Sequence, residues 1–484
     1  MVPLKNTAAI IFMLLCGVAK AQNTPLYTYQ QLSGVYYASQ KDSLKKVWVC
    51  PDAFDARATQ KKYREIWDER TDFITAAINN HHYVYEPVLF AYLQGIISQI
   101  VQANPQYLPT TPFLLVDRSS SANAYSIGGN VIAINLGLID FATSREEIAF
   151  TLAHELSHNI FNHTENVMKE RAEWLTSDEF KNSLNSVLKS KYERYTRLKK
   201  ILENFSFNRG RHQRYHESEA DSLAIILLKK SNIAFNANFF LRLDSTDLQY
   251  KQPLRQPLAN YFTAYGVPFE DTWAQKRSKG LSTRSYNFRD TTGIEDSLKT
   301  HPDCVERYAK TKAQSDNNAT LTAVPASIKE KASQMLIWNM YDNMSLAACL
   351  YRILLEKDKG STDAWYDFMV HNIFAGLAYN DKQLQRFIAI GITPKEYISK
   401  DYDQLQTMLA QMPKESLTQY CTLLQAAPFW AKMHDDAKGL KAFMFTLALA
   451  PDVSDKIKRN SAKDFIDGNA SSMYCEFAEH FKNK

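Results

Sequence analysis

Glycine and proline are scarce, at 15 and 16 of 484 residues. That argues against a chain of many short strands and tight turns, and against a collagen-like one. Cysteine is scarcer still. The six residues, Cys16, Cys50, Cys304, Cys349, Cys421 and Cys475, are widely spaced. No disulfide framework and no paired-cysteine zinc motif fits that spacing, and one disulfide is the most it suggests. Neither sign of charge dominates: 57 Lys and Arg face 52 Asp and Glu, for a net +5. So small and interleaved an excess excludes the electrostatic footprint of a nucleic-acid-binding protein. Hydrophobic residues at 45% and charged residues at 23% exclude a disordered chain. The length suits two or three domains at roughly 100–200 residues each.

Long apolar runs are also missing. The longest is in residues 1–21, where Lys5 precedes an apolar stretch from Ala8 to Ala19. It is too short to span a bilayer comfortably and ends in Ala19-Lys20-Ala21, a small-x-small cleavage pattern. This predicts a signal peptide over 1–21 and a mature chain starting at Gln22, exported to the periplasm or beyond. Removing Lys5 and Lys20 lowers the net charge from +5 to +3. No later stretch reaches about 18 consecutive apolar residues, so no transmembrane helix is expected in the mature chain. Contact with a membrane surface stays open.

What is present is mostly helical patterning. A strand is expected at Lys46–Cys50 and a charged helix over Gln60–Glu69. From Glu86 to Ala103, apolar residues recur at helical spacing. Pro112–Asp117, Ala122–Ile127 and Val131–Asn135 read as short strands, the last two joined by the hairpin signal Gly128-Gly129-Asn130. Ser144 with Glu147 three residues on forms a capping box that starts a long helix. Residues 164–210 read as solvated helices, the basic run Arg209–Arg214 as a solvated loop, and Glu217–Lys230 as a further helix. Gln314–Pro325 reads as a linker, with helices from there to the end. Apolar stripes around Leu346–Leu354 and Trp365–Ile373 suggest a helical hairpin across a Lys-Gly-Ser turn.

The chemistry sits in His154-Glu155-Leu156-Ser157-His158. On a helix, two histidines four residues apart point to one face, about one turn apart. Both imidazoles can then reach one Zn²⁺ at about 2.0–2.1 Å. Glu155, beside the first ligand, is placed to take a proton from water. A catalytic zinc needs a third protein ligand. His163, His212, His216, Glu217, Glu219 and Asp221 are candidates. His163 lies five residues past His158 and would be rotated off the ligand face, so it reads as a surface residue. Glu217 and Asp221 are four apart and share a face, while Glu219 points elsewhere. One of the pair can bind metal while the other hydrogen-bonds the second nitrogen of a ligand histidine. Helix geometry leaves open which does which.

Several segments together resemble one family. They are Asn123-Ala124-Tyr125-Ser126 before the Gly-Gly hairpin, Gly137-Leu138-Ile139-Asp140, the His154–His158 motif, Glu217-Ser218-Glu219-Ala220-Asp221, and His301-Pro302 with Glu306-Arg307. In these the chain is similar to zinc endopeptidases of the HtpX and CAAX-prenyl-protease type, peptidase family M-48. The likeness spans roughly residues 75–315.

It implies an α+β, mainly helical, zincin-like (gluzincin) domain with a small sheet, holding one zinc per chain through His154, His158 and Glu217. Glu155 would be the catalytic base, and Asp221 would orient a ligand histidine. The strand Val131, Ile132, Ala133, Ile134 and Asn135 would be an edge strand binding substrate in extended form. His301 would be a plug for the open zinc position, or else part of an ordinary helix-entry turn. The absence of transmembrane helices points to the soluble, exported, bacterial branch. There the peptidase domain is followed by a helical, often TPR-like, one.

The expected layout is a signal peptide at 1–21, an N-terminal segment at 22–74, the peptidase at 75–315 and helices at 326–484. The expected function is exported zinc-dependent endopeptidase in envelope protein quality control, acting on protein or peptide substrates. The alternative is a peptidase-fold chaperone or binding module, with its C-terminal helices on a protein partner and little proteolysis.

Overall fold

The computed structural model describes residues 41, 44–46, 48–190, 192–243, 251–275, 304–450, 454–470, 472 and 474–482. The expected signal peptide and His301 lie outside them.

Helix α1 (Arg57–Asn79) runs through the boundary expected at residue 75, so no break separates the N-terminal segment from residues 75–79. The strand expected at Lys46–Cys50 is not one: residues 44–46 are helical and 48–50 irregular. Trp48 instead packs as a side chain, its carbonyl accepting from Trp67 Nε1 at 2.9 Å. Helix α2 (Pro87–Ala103) buries Leu89, Leu93, Ile96, Ile97 and Ile100 along one face. Its cap is Glu86, whose carboxylate accepts from the Leu89 amide at 2.7 Å.

Three strands come next: β1 (Phe113–Asp117), β2 (Ala124–Gly128) and β3 (Val131–Asn135). The β2–β3 hairpin turns through Gly128, Gly129 and Asn130, all at positive φ. Glycine and asparagine tolerate that region where other side chains clash. The strand order is β1-β3-β2. β3 pairs in parallel with β1 (Phe113↔Val131) and antiparallel with β2 (Ala124↔Ile134), and all five of its residues are buried. The reading of Val131–Asn135 as a substrate-binding edge strand is therefore corrected. Both of its hydrogen-bonding edges are occupied inside the sheet. β2 is the edge on the hairpin side, and it lies against the helix that carries the histidine pair.

Short helix α3 (Leu136–Phe141) leads into α4 (Arg145–Ile160). The Ser144 capping box forms in full, and Arg242 joins Glu147 there as an ion pair. Next come α5 (His163–Thr176), α6 (Asp178–Lys189) and α7 (Arg194–Lys230). The run 209–214, expected as a loop, is helical within α7. Beyond it lie α8 (Asn238–Leu243), α9 (Leu258–Thr263) and α10 (Cys304–Thr311).

The segment expected as a linker is tied down. Thr322 O accepts from the Arg145 amide at 2.8 Å, and the Val324 amide donates to Thr143 O at 3.2 Å. Asp316 Oδ2 accepts from the Phe235 amide at 3.0 Å. The segment thus crosses the start of α4 as a strap.

The remaining helices are α11 (Ala326–Asp342), α12 (Leu346–Asp358), α13 (Ala364–Lys382), α14 (Arg386–Ile390), α15 (Lys400–Gln411), α16 (Lys414–Gln425), α17 (Asp435–Leu449), α18 (Asp455–Gly468) and α19 (Cys475–Lys482). One hydrophobic core runs without a break from Val84 through the sheet and α4 into α11–α19. Helix α11 packs on α3 and α2. Polar links cross the same seam: Arg118 Nη2 meets Asp342 Oδ2 at 3.1 Å, and Arg352 pairs with Asp140. No disulfide joins the cysteines among the described residues. No helix among the described residues is long and apolar enough to cross a membrane.

Gly137 sits where α3 passes the 119–121 loop. A Cβ there would fall 2.1 Å from the Ser120 carbonyl oxygen, whereas one on Gly95, exposed in α2, would meet nothing within 4 Å. The two substitutions should differ in sign. Gly137→Ala should lose about 1–3 kcal/mol of stability through the forced backbone shift, and Gly95→Ala should gain about 0.5–1 kcal/mol from helix propensity. Urea unfolding of both variants measures this.

Candidate metal centre

Helices α4 and α7 pack side by side. The apolar residues Ile148, Ala149, Leu152, Ala153 and Leu156 of α4, with Ala220, Leu223, Ala224 and Leu227 of α7, bury the surfaces of both helices. That leaves the polar residues of each motif facing one another at the end of the contact.

The structure brings together His154, His158 and Glu217. His154 Nε2 lies 3.1 Å from His158 Nε2. Glu217 Oε2 is 3.3 Å from His154 Nε2, and its Oε1 is 3.5 Å from His158 Nε2. The set of two imidazole nitrogens and one carboxylate oxygen fits inside 4.8 Å. Metal–ligand bonds of about 2.0–2.1 Å at tetrahedral angles put ligand atoms about 3.3 Å apart. The observed separations straddle that value, so these three side chains could hold a divalent ion. Glu155 follows His154 on the same helix and is buried.

Asp221, one turn along α7 from Glu217, does not join the three. Its Oδ1 lies 2.9 Å from Nδ1 of His154, on the far side of the ring. A carboxylate there holds the ring proton on Nδ1 and leaves the Nε2 lone pair for a metal. The geometry thus separates the two acids that helix spacing alone left interchangeable. Burial pushes His154 toward its neutral form; the Asp221 and Glu217 carboxylates outweigh this and raise the metal-free ring to about 10.

Arg307, on α10, completes the arrangement. Its Nε donates to Asp221 Oδ2 at 2.8 Å and its Nη2 to Oδ1 at 2.5 Å, a two-pronged contact. The guanidinium lies over the Phe240 ring, 4.5 Å from its centre. Burial pushes the Asp221 carboxyl up, but Arg307 and then His154 reverse this and hold it below the usual range. Sequence reasoning gives Arg307 no role. It lies 86 residues beyond Asp221, and no local pattern reports such a distance.

His163 needs correction. It is a buried residue, 6% exposed, with Nδ1 2.8 Å from Nδ1 of His158. Rotating it off the ligand face assumes one continuous helix. In fact α4 stops at Ile160 and Asn162 takes a left-handed conformation, φ 53°, which folds His163 back beneath the ligand. Asn162 is the available signal, since asparagine enters that region more readily than most residues. His216 stacks on the His163 ring at 4.1 Å, and Glu219 Oε2 lies 3.5 Å from His163 Nε2. The side chain of His212 lies outside the described set.

The family model for peptidase family M-48 matches residues 87–315, from the start of α2 past the end of α10. Residues 87–315 are a family M-48 peptidase domain. A Vibrio cholerae protein named as a beta-barrel assembly-enhancing protease is 29% identical to this chain over 170 residues. That match takes in 34% of this chain and 35% of the relative, so the two align over about a third of either length. In the M-48 domain, both helices that carry the metal-binding candidates and the Arg307 helix fall inside the matched range.

Arg307→Met should cost about 3–5 kcal/mol at pH 7, because it leaves the buried Asp221 carboxylate without its counter-charge. A depressed carboxyl gives stability that is present above its unfolded value of about 3.9 and is lost as pH falls through the folded value. The deficit of the variant should therefore persist at about pH 4 and shrink only as pH falls well below it. Chemical denaturation at neutral pH, at about pH 4 and at about pH 2.5 reads it.

Proposed function

We propose that this protein is an exported, zinc-dependent metalloendopeptidase acting on proteins of the bacterial envelope. The observation that carries the reading is the His154–His158–Glu217 cluster, with Glu155 between the two histidines and ligand atoms at the spacing a tetrahedral ion requires. The name of the Vibrio cholerae relative supports an envelope setting, in which misfolded or misassembled outer-membrane proteins would be substrates.

In this reading, zinc held by Nε2 of His154, Nε2 of His158 and the Glu217 carboxylate supplies a Lewis acid that polarises the scissile carbonyl and acidifies water. The Glu155 carboxylate takes the proton of the attacking water and passes it to the leaving amine nitrogen. Asp221 keeps the His154 proton on Nδ1. Arg307 offsets the charge of Asp221 through its two-pronged contact and reaches Glu217 only at 3.9 Å, so it is the Glu217 carboxylate that faces the metal. The substrate would be an extended protein segment. His301 remains the candidate plug that would shut the site.

A second reading is a binding module with little proteolysis. It draws on the helical region, where Leu384, Phe387, Ile388 and Ile392 are all more than half exposed within nine residues, a surface suited to a protein partner.

One experiment separates the two. Zinc content and cleavage of an unfolded protein such as reduced casein are measured for wild type, Glu155→Gln and His301→Ala. The peptidase reading expects about one zinc per chain in all three, cleavage by wild type or His301→Ala, and loss of at least 100-fold in Glu155→Gln, at the low end of the range for a general base. Zinc bound with no cleavage by wild type or His301→Ala favours the binding module. No bound zinc overturns the metal assignment.

A further inference from the structure

We propose that His163 is a positioning residue for the metal ligand His158, and that Glu219 fixes the ring form of His163 that lets it act. The inference rests on the zinc-peptidase reading and concerns the side of the site that faces away from Asp221.

The two ligand histidines have different supports. His154 is backed by a carboxylate, Asp221 Oδ1 at 2.9 Å from Nδ1, itself held by Arg307. His158 has another imidazole on its Nδ1, that of His163 at 2.8 Å. A contact this short between two ring nitrogens accommodates a single proton, donated by one ring and accepted by the other. The Nε2 of His158 faces His154 and Glu217 and must keep its lone pair to bind metal. The neutral His158 ring therefore carries its proton on Nδ1, and His163 Nδ1 is the acceptor. A neutral His163 then has its own proton on Nε2, the atom that points to Glu219 Oε2 at 3.5 Å. Proton placement thus runs in one direction, from His158 through His163 toward Glu219.

The ring of His163 is held for this task. It stacks on Phe161 at 5.4 Å on one side and on His216 at 4.1 Å on the other. The left-handed Asn162 sets its approach. The chemistry also favours an imidazole here over a second carboxylate. Glu155, Glu217 and Asp221 already place three acids around the site, with Arg307 paired to Asp221 and 3.9 Å from Glu217. A neutral acceptor on His158 orients the ligand without adding a fourth negative charge to a buried centre.

The test compares His163→Phe, which keeps ring volume and stacking but has no acceptor, with His163→Asn, whose amide oxygen can take the place of Nδ1. Zinc affinity is measured by chelator competition, with casein kinetics in parallel. The expected result is a 10–100-fold weaker zinc affinity in His163→Phe, the range for losing an outer-shell partner. At saturating zinc, kcat should be reduced with KM unchanged, and His163→Asn should recover at least half of the lost affinity on a logarithmic scale.

Zinc affinity within twofold of wild type in His163→Phe, or no recovery in His163→Asn, overturns the proposal. Should both variants fail to fold, ring ¹⁵N shifts of histidines in the zinc-loaded wild type decide it. His163 must show a protonated Nε2 and a bare Nδ1, and the opposite tautomer overturns the assignment. Wild type that binds no zinc would mean failure of the peptidase reading itself, whereas normal zinc binding with an inert His163 would end only this inference.

Discussion

Everything at the candidate site depends on the packing of α4 against α7. The two helices begin 49 residues apart in the chain, and each contributes half of the polar cluster. Their small and branched apolar residues set how closely the axes approach. That approach in turn sets whether Glu217 can reach both histidines at once. Ligand atoms between 3.1 and 3.5 Å apart crowd polar groups that ordinarily keep water between them. The arrangement persists because each group has a partner: Asp221 and Arg307 behind His154, His163 behind His158. A buried set of acids and imidazoles with any of these missing would leave polar groups or charge uncompensated, at a cost of several kcal/mol.

The rest of the molecule stiffens that pair of helices. The start of α4 is fixed by its own capping box, by Arg242 and by the 315–325 strap. Near its other end, Asn159 Oδ1 accepts from Ser126 Oγ at 2.7 Å, and its Nδ2 donates to Val131 O at 3.2 Å, which tie the helix to both strands of the hairpin. Farther out, α3 and the Asp140 carboxylate are gripped by α11 and α12 through Lys329 and Arg352. The helical region is thus part of the scaffold of the site, since its core is continuous with that of the M-48 domain.

Much of this is legible from local pattern. The i, i+4 spacing of His154 and His158, the capping box at Ser144, and the hairpin at Gly128–Asn130 are short-range features, and the structure contains each of them. Local pattern cannot supply anything set by distant contacts. Helix periodicity puts Glu217 and Asp221 on one face but cannot say which faces the metal site, because that depends on where α4 lies. The order of strands depends on β1 pairing in parallel with β3, past the intervening β2, so Val131–Asn135, which the family likeness implies is an edge, is central. His163 is misplaced when the helix is extended past its true end at Ile160. Glu306-Arg307 belongs to the family likeness, but no local pattern assigns Arg307 its pairing with Asp221. The start near residue 75, taken from the extent of the family likeness, falls within α1, whose course depends on its packing and not on where the likeness begins.

The central claim is that His154, His158 and Glu217 together hold one zinc while Asp221 and His163 stand behind the histidines. Anomalous diffraction at the zinc edge from crystals of the zinc-loaded protein tests it directly. The account predicts one peak per chain, with Nε2 of both ligand histidines and a Glu217 oxygen at about 2.0–2.2 Å, and Asp221 and His163 on the Nδ1 atoms. A peak bonded to Asp221 or His163, or none between α4 and α7, would contradict it.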